Sequence, residues 1–216
     1  MRLAFLLLGI SLAAFASQSL VAIDQVQTPI NQTPVPQTSA PDEAKLCIAC
    51  HNVDGNSSIP AWPSIAGQST RYLLEQMRAL KQGDQGPRPN AVMQGILAPL
   101  SDQALEALSS YFSAQKPAVG TVDAQWLALG QTIYRGGNPK TGVPACAGCH
   151  DPRGRGNPPA GFPAFSGQHP DYIIEQLNYF RTESRKNDPN RIMRDISQRM
   201  SDAEIKAVAH YVCGLH

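Results

Sequence analysis

The sequence contains two Cys-x-x-Cys-His runs, at residues 47–51 and 146–150. This spacing is typical of covalent haem attachment, in which the two thiols add to the vinyl groups of one haem and the adjacent histidine binds its iron. The predicted attachment residues are Cys47, Cys50, Cys146 and Cys149, and the predicted iron ligands are His51 and His150. Two runs therefore predict two covalently bound haem c groups and a protein that handles electrons.

Three other interpretations of the cysteine pairs account for less of the pattern. A disulfide framework does not explain the histidine that follows each pair. A zinc ribbon needs pairs roughly 15–20 residues apart, whereas Cys50 and Cys146 are far more distant in the sequence. A thioredoxin-like motif would occur once, beside a strand–helix–strand pattern, and no such pattern is visible. Haem attachment uses every residue of both runs.

The chain repeats itself at an offset of about 100 residues. Residues 63–68 recur at 163–168, residues 72–76 at 172–176, and Met93 at Met193. A repeat of this length indicates duplication of a whole domain.

Within each copy the periodicity is helical. The apolar residues Tyr72, Leu73, Met77 and Leu80 follow helical spacing, and residues 201–204 form a capping-box sequence. No segment alternates convincingly as a strand, and the dense glycine and proline of 138–144 and 151–163 predict loops. The expected fold is all-α: a tandem duplication of one domain, each copy wrapped around one haem.

The predicted domain organisation has five parts. Residues 1–16 are predicted to be a signal peptide, since Arg2 precedes an apolar run and a small-x-small cleavage site; an uncleaved membrane anchor is the alternative. Residues 17–41 are rich in Gln, Thr and Pro and predict a disordered tether. Copy one is expected at 42–117, a linker at 118–122 and copy two at 123–216. Export would place the folded part in the periplasm.

Comparison of the copies selects the second iron ligand. A thioether is the usual partner of histidine in electron-transfer cytochromes. Met93 pairs with Met193 across the repeat, whereas Met77 faces Leu177 and Met200 faces Leu100. A position that accepts leucine in the other copy is a packing position, so Met93 and Met193 are the predicted ligands. We expect His169, His210 and His216 to be surface or helix residues.

Pro63 and Pro163 follow the two histidines by 12 and 13 residues. An iron-ligating histidine usually donates its other ring N–H to a fixed acceptor. Here the sequence resembles class I cytochromes c, in which a proline carbonyl in a Pro-x-x-x-Gly setting accepts that bond. This resemblance implies that the carbonyl oxygens of Pro63 and Pro163 accept the ring N–H of His51 and His150, respectively. Alternatively, proline and glycine serve only the turn before the next helix.

The double Cys-x-x-Cys-His run, Pro-x-x-x-Gly-Gln, the Tyr-x-x-Glu-Gln helix and the single matched Met together resemble the dihaem cytochrome c4 family over residues 42–216. The resemblance implies two cytochrome c domains related by a pseudo-twofold, with haem edges close together at their interface. The chain departs from the family in a short first helix in copy one, a long N-terminal tract, and Cys213 where copy one has Ser113. We expect Cys213 to be a buried, inert thiol, with an intermolecular disulfide as the alternative.

The matched sites favour a carrier over a catalyst. The resemblance implies transfer from a cytochrome bc complex or a small periplasmic donor to a terminal oxidase. A dihaem subunit of a periplasmic dehydrogenase, such as a flavocytochrome sulfide dehydrogenase, has the same motifs and stays open. A dihaem peroxidase or thiosulfate dehydrogenase would need copies that differ at the methionine.

The charge balance bears on the partners. A net charge of +1, from 18 basic and 17 acidic residues, excludes the basic excess of a nucleic-acid binder. We expect a monomer that meets redox proteins, with membrane association only through an uncleaved N-terminus. Six basic residues lie near Met193 in the sequence and predict a face that steers an acidic partner: Arg181, Arg185, Lys186, Arg191, Arg194 and Arg199.

Overall fold

The computed structural model describes residues 39–216. The predicted signal peptide and most of the predicted tether lie outside these residues. Between residues 39 and 216, no helix combines the length and apolar character needed to cross a bilayer.

The described chain is helical, and within it backbone pairing outside the helices is limited to two isolated bridges, Asn138 with Val143 and Asn157 with Phe162. Copy one contains α1 (Lys45–His51), α2 (Thr70–Lys81), α3 (Ala91–Leu97) and α4 (Asp102–Ser113). Copy two contains α5 (Ala124–Gly136), α6 (Ala147–His150), α7 (Pro170–Arg181), α8 (Ile192–Arg199) and α9 (Asp202–Cys213). Short 3-10 turns occupy Asp42–Ala44, Gly83–Gln85, Pro158–Ala160 and Pro189–Arg191. The predicted all-α tandem architecture is confirmed.

Serine side chains fix where α2, α4 and α9 begin. The Ser69 hydroxyl accepts from the Tyr72 N–H at α2, and Ser101 caps α4 in the same way. At α9, Ser201 and Glu204 form the predicted capping box. These caps hold α2, α4 and α9 at fixed starting points around each core.

Each copy has its own hydrophobic core. In copy one, α2 and α4 bury Leu73, Leu105, Leu108 and Phe112 together. In copy two, α5, α7 and α9 bury a larger set: Ile133, Tyr134, Ile173, Ile205, Val208 and Val212. The predicted core position of Met200 is confirmed, since this side chain lies in the second core.

The copies differ most at their first helix. In copy two the full-length helix α5 crosses α9. The two backbones come closest at Gly130, where an added Cβ would lie 2.3 Å from the carbonyl oxygen of Ala207. From residue 39 onward, copy one has only the Asp42–Ala44 turn in the equivalent place, with Ala44 buried in its core. The predicted shortening of the first helix in copy one is confirmed.

Candidate functional site

The two motif histidines end short helices and are held alike. His51 is 8% exposed and His150 is 6% exposed. The Nδ1 of His51 lies 2.8 Å from the carbonyl oxygen of Pro63, and that of His150 lies 3.0 Å from the carbonyl oxygen of Pro163. A carbonyl oxygen can only accept, so each Nδ1 carries the proton and donates it.

Burial sets the charge of both rings. Desolvation lowers the pKa of His51 and of His150, more than the proline hydrogen bonds raise it. Each imidazole is therefore neutral at neutral pH, with its proton on Nδ1 and its lone pair on Nε2. This is the form of histidine that binds iron.

The motif cysteines lie beside these histidines. Three- and four-residue spacing on a helix places Cys47, Cys50 and His51 on neighbouring positions of α1. Burial raises the pKa of Cys47 and of Cys146 to about 11. Within residues 39–216 all of the cysteines are free of disulfides.

The predicted methionine ligands lie at the start of corresponding helices. Met93 is the third residue of α3, and Met193 is the second residue of α8. Both line the same cavity as the two histidines. Met77 and Met200 also reach this cavity, but they pack against the cores of copy one and copy two, respectively.

One continuous cavity of about 910 Å³ runs through both copies. Its lining includes both histidines, both candidate methionines and all four motif cysteines, and the rest of its wall is largely apolar, with contributions from Leu73, Leu97, Ile173 and Val212. Apolar walls around two neutral imidazoles fit two porphyrin rings.

A polar cluster between the copies provides a second test of fit. Arg185 is 5% exposed, and its guanidinium donates to Gln76, Gln176 and, at 3.2 Å, the Tyr72 hydroxyl. Arg88 donates to Gln76 and to the Tyr172 hydroxyl.

Neither guanidinium forms an ion pair with a carboxylate of the described residues. Burial and the nearby Arg185 charge lower the pKa of Arg88. Haem brings two carboxylates with it, so this pair of cations fits the group that the cavity would hold.

The predicted basic face near Met193 needs correction. Arg185 is buried between the copies and is not available to a partner. Arg181 pairs with Asp202, Arg191 with Glu183, and Arg194 with Asp188. The sequence cluster is therefore largely neutralised within the fold, because its carboxylate partners are nearby in space.

The sequence did not identify some of the residues that lie between the two copies. His169 was expected at the surface or in a helix; it precedes α7, and its Nε2 lies 2.8 Å from the carbonyl oxygen of Ser57 in copy one. Gln68 and Gln168 also reach the opposite copy. The only available signal was that both copies carry glutamine at this position.

The Cytochrome c family model matches the chain twice, at residues 43–116 and 127–215. Cytochrome c4 of Azotobacter vinelandii is 46% identical over 181 residues, which cover 81% of this chain and 86% of that protein. The structure of reduced recombinant cytochrome c4 from Pseudomonas stutzeri superposes with a TM-score of 0.78 at 44% identity, covering 81% of this chain and 95% of that one. A thiosulfate dehydrogenase electron acceptor of Thiomonas intermedia (strain K12) is 36% identical over 187 residues, 83% of this chain and 82% of that protein.

These similarities extend over the folded part of both copies and agree with the twofold motif, the helical fold and the shared cavity. Two cytochrome c domains carry two covalently bound haem c groups. The chain belongs to the cytochrome c4 family of electron-carrying cytochromes.

Proposed function

We propose that His51 and Met93 would bind the iron of one haem and His150 and Met193 the iron of the other, and that the protein carries electrons through these two sites. The observation that carries this proposal is the presence of one matched histidine and methionine from each copy in one cavity. An iron held by two protein side chains would offer no position to a substrate. Matched sites therefore favour transfer of electrons over bond chemistry.

When bound, each haem supplies an iron that cycles between Fe(III) and Fe(II). The protein prepares for this change in several ways. His51 and His150 are held neutral with Nε2 free, and the soft thioethers of Met93 and Met193 favour the reduced metal. The apolar wall of the cavity excludes water. Arg88 and Arg185, between the copies, would offset the negative charge of the haem carboxylates.

Single substitutions test the methionine assignment. Met93→Leu and Met193→Leu should each remove about half of the near-infrared Met–Fe(III) absorption and allow carbon monoxide to bind one reduced haem. Met77→Leu is the matched control, because the corresponding residue in copy two is Leu177, and it should leave the band and carbon monoxide binding unchanged. An intact near-infrared band in either ligand variant would contradict the assignment.

For the route, we propose transfer from a cytochrome bc complex or a small periplasmic donor to a terminal oxidase. Kinetic support would be reduction by such a donor, and oxidation by membranes that contain the oxidase, both at rates that match respiration. Failure of the reduced protein to be oxidised by these membranes would exclude the oxidase as acceptor.

A second candidate is the acceptor role in thiosulfate oxidation. Relatives of 36% and 34% identity bear the name thiosulfate dehydrogenase electron acceptor. The test is rapid mixing of the oxidised protein with a thiosulfate dehydrogenase and thiosulfate. Reduction within the turnover time of the enzyme supports this route, and reduction no faster than without the enzyme excludes it.

We also propose that the mature protein is a periplasmic monomer released by cleavage after Ala16. Mass spectrometry of the protein from fractionated cells should find a periplasmic chain that begins at Ser17, and light scattering should give the mass of one chain. An intact N-terminus in the membrane fraction would instead support the anchor.

A further inference from the structure

Two glutamines connect the copies in a reciprocal arrangement. The Oε1 of Gln168 accepts the Ser64 N–H at 2.9 Å, and its Nε2 donates to the Ser64 carbonyl oxygen at 2.8 Å. Gln68 does the same to Ala164, accepting at 3.0 Å and donating at 2.7 Å. Each side chain therefore clamps one backbone residue of the opposite copy at two points.

The clamped residues directly follow the prolines that hold the motif histidines. The Ser64 N–H and the Pro63 carbonyl belong to one planar peptide group, and the described backbone contains no cis bond, so the N–H and C=O bonds point in opposite directions and their dipoles are aligned. The chain of hydrogen bonds runs from His51 through this peptide group to Gln168. A second chain runs from His150 through the Pro163–Ala164 peptide group to Gln68.

The Pro-x-x-x-Gly-Gln segment is shaped for this exchange. Gly67 and Gly167 both have positive φ, of 67° and 74°, which turns the chain just before each glutamine. A Cβ at Gly167 would lie 1.8 Å from the Ala118 carbonyl oxygen. Each segment thus supplies the acceptor for its own histidine and the glutamine that holds the acceptor of the other copy.

Hydrogen bonds in series polarise one another, with strengthening of about 10–30% per bond. An acceptor at the peptide N–H increases the negative charge on the carbonyl oxygen, which then accepts more strongly from Nδ1. A stronger bond at Nδ1 makes the imidazole a better electron donor through Nε2 and stabilises Fe(III). Both glutamines are shielded from competing water, at 7% and 5% exposure.

We propose that Gln168 is a positioning residue for the His51 site and Gln68 for the His150 site, so that each copy tunes the iron ligand of the other. This rests on the proposed axial roles of His51 and His150. The alternative is that the glutamines only hold the copies together. A tuning role and a purely structural role predict effects of a glutamine substitution in different copies.

The experiment compares Gln168→Leu and Gln68→Leu in the intact dihaem protein. NMR spectra of the reduced form report the Nδ1 proton of each axial histidine. Gln168→Leu should move the His51 proton upfield, because its hydrogen bond weakens, and leave the His150 proton in place. Gln68→Leu should give the reverse pattern.

The reduction potentials provide a second readout. In Gln168→Leu the reduction potential of the His51 site should rise by ~30 mV. At ~59 mV per decade, the ratio of reduced to oxidised haem at this site would then be about threefold higher at the wild-type midpoint potential. Gln168→Glu keeps an oxygen acceptor and should not raise this potential. His169→Leu is the matched control, since it removes another cross-copy hydrogen bond but leaves both peptide groups untouched.

The outcomes separate the possibilities. Effects in the opposite copy that exceed those of His169→Leu support the proposal. Effects confined to the substituted copy, equal effects on both histidines, or effects no larger than the control overturn it. Wild-type spectra are recorded first: if His51 or His150 is not an axial ligand, the proposed ligation fails there, independently of the glutamine variants.

Discussion

The two methionine-bearing helices, α3 and α8, begin in different ways although Met93 and Met193 correspond across the repeat. In copy one, Asn90 is extended at φ −163° and its side chain accepts the Met93 N–H at 2.9 Å. In copy two, the equivalent Asn190 and the following Arg191 both have left-handed backbone, at φ 53° and 62°. A left-handed residue other than glycine costs on the order of 1–2 kcal/mol, so this second start needs support from elsewhere.

Charged side chains provide that support. Glu183 receives two hydrogen bonds from Arg191, at 2.7 and 3.0 Å. Asp188 receives the backbone N–H of Arg194 at 3.0 Å and its Nε at 2.7 Å. Copy one has Gly83, Arg88, Ala91 and Gln94 at the four equivalent positions, so the network cannot form there. One copy thus places its methionine with a neutral cap, and the other with ion pairs.

The largest effect is expected at Asp188, because its side chain is 3% exposed and that of Arg194 is 13% exposed. Asp188→Asn removes the nearer of two carboxylates from the largely buried guanidinium of Arg194, leaving only Glu183 at 3.6 Å, and should destabilise copy two by about 3 kcal/mol. The Met193 NMR signals of the reduced protein should report unfolding at lower urea, ahead of the Met93 signals. Asp102→Asn is the control, since Asp102 is an exposed partner of Arg78 and should matter by less than about 1 kcal/mol. Equal destabilisation by both variants would remove the distinction between the copies.

The next effect concerns α5, which has no counterpart among the described residues of copy one. Gly130→Ala would place a Cβ 2.3 Å from the Ala207 carbonyl oxygen and force α5 away from α9, at a cost of about 2 kcal/mol. Gly136→Ala, in the same helix, has nothing within 4 Å of the new Cβ and should be neutral or stabilising by up to about 1 kcal/mol. Urea unfolding of copy two measures both. A Gly130→Ala protein as stable as Gly136→Ala would show that the close crossing is not needed.

The smallest effect is expected at Glu183, where the pairs are more exposed. Hydrogen bonds from Arg191 hold the pKa of Glu183 at about 2, below its ordinary value of 4.5. A carboxyl group with a lowered folded-state pKa stabilises the fold above its unfolded pKa, and this contribution is lost as the pH falls through the folded value. The stability difference between wild type and Glu183→Gln should therefore be complete above pH 4.5 and shrink towards pH 2.

Urea unfolding of copy two at a series of pH values measures this difference. The matched control is Glu106→Gln in copy one, whose exposed carboxylate lies 3.4 Å from Arg78 and should contribute little at any pH. A Glu183→Gln effect that stays constant between pH 6 and pH 2 would show that the carboxylate charge is not what supports the start of α8.

Local sequence patterns predicted much of the helical structure. The apolar stripe of residues 72–80 predicted α2, and the capping-box sequence predicted the start of α9, because both signals lie within a few residues of the element. Comparison of the copies also placed Met200 in the core, since the other copy accepts leucine there.

Features that depend on distant partners were not predictable in the same way. Arg185 looks like a surface cation in the sequence, but its buried position requires Gln76 and Tyr72 from the other copy. The left-handed pair at Asn190 and Arg191 depends on Glu183. Cys213 was expected to be buried but is only partly buried. Its Sγ packs against Gly120, where an added Cβ would lie 2.3 Å from the sulfur. Burial raises the pKa of the Cys213 thiol.

We propose that α3 and α8, which are supported differently, present matching methionine ligands to two equivalent haem sites. The most direct measurement is a potentiometric titration of the wild-type protein with spectra that include the near-infrared Met–Fe(III) band. Two components, each losing a near-infrared band of similar amplitude on reduction, are the predicted result. A bis-histidine or high-spin spectrum at either haem would contradict the account.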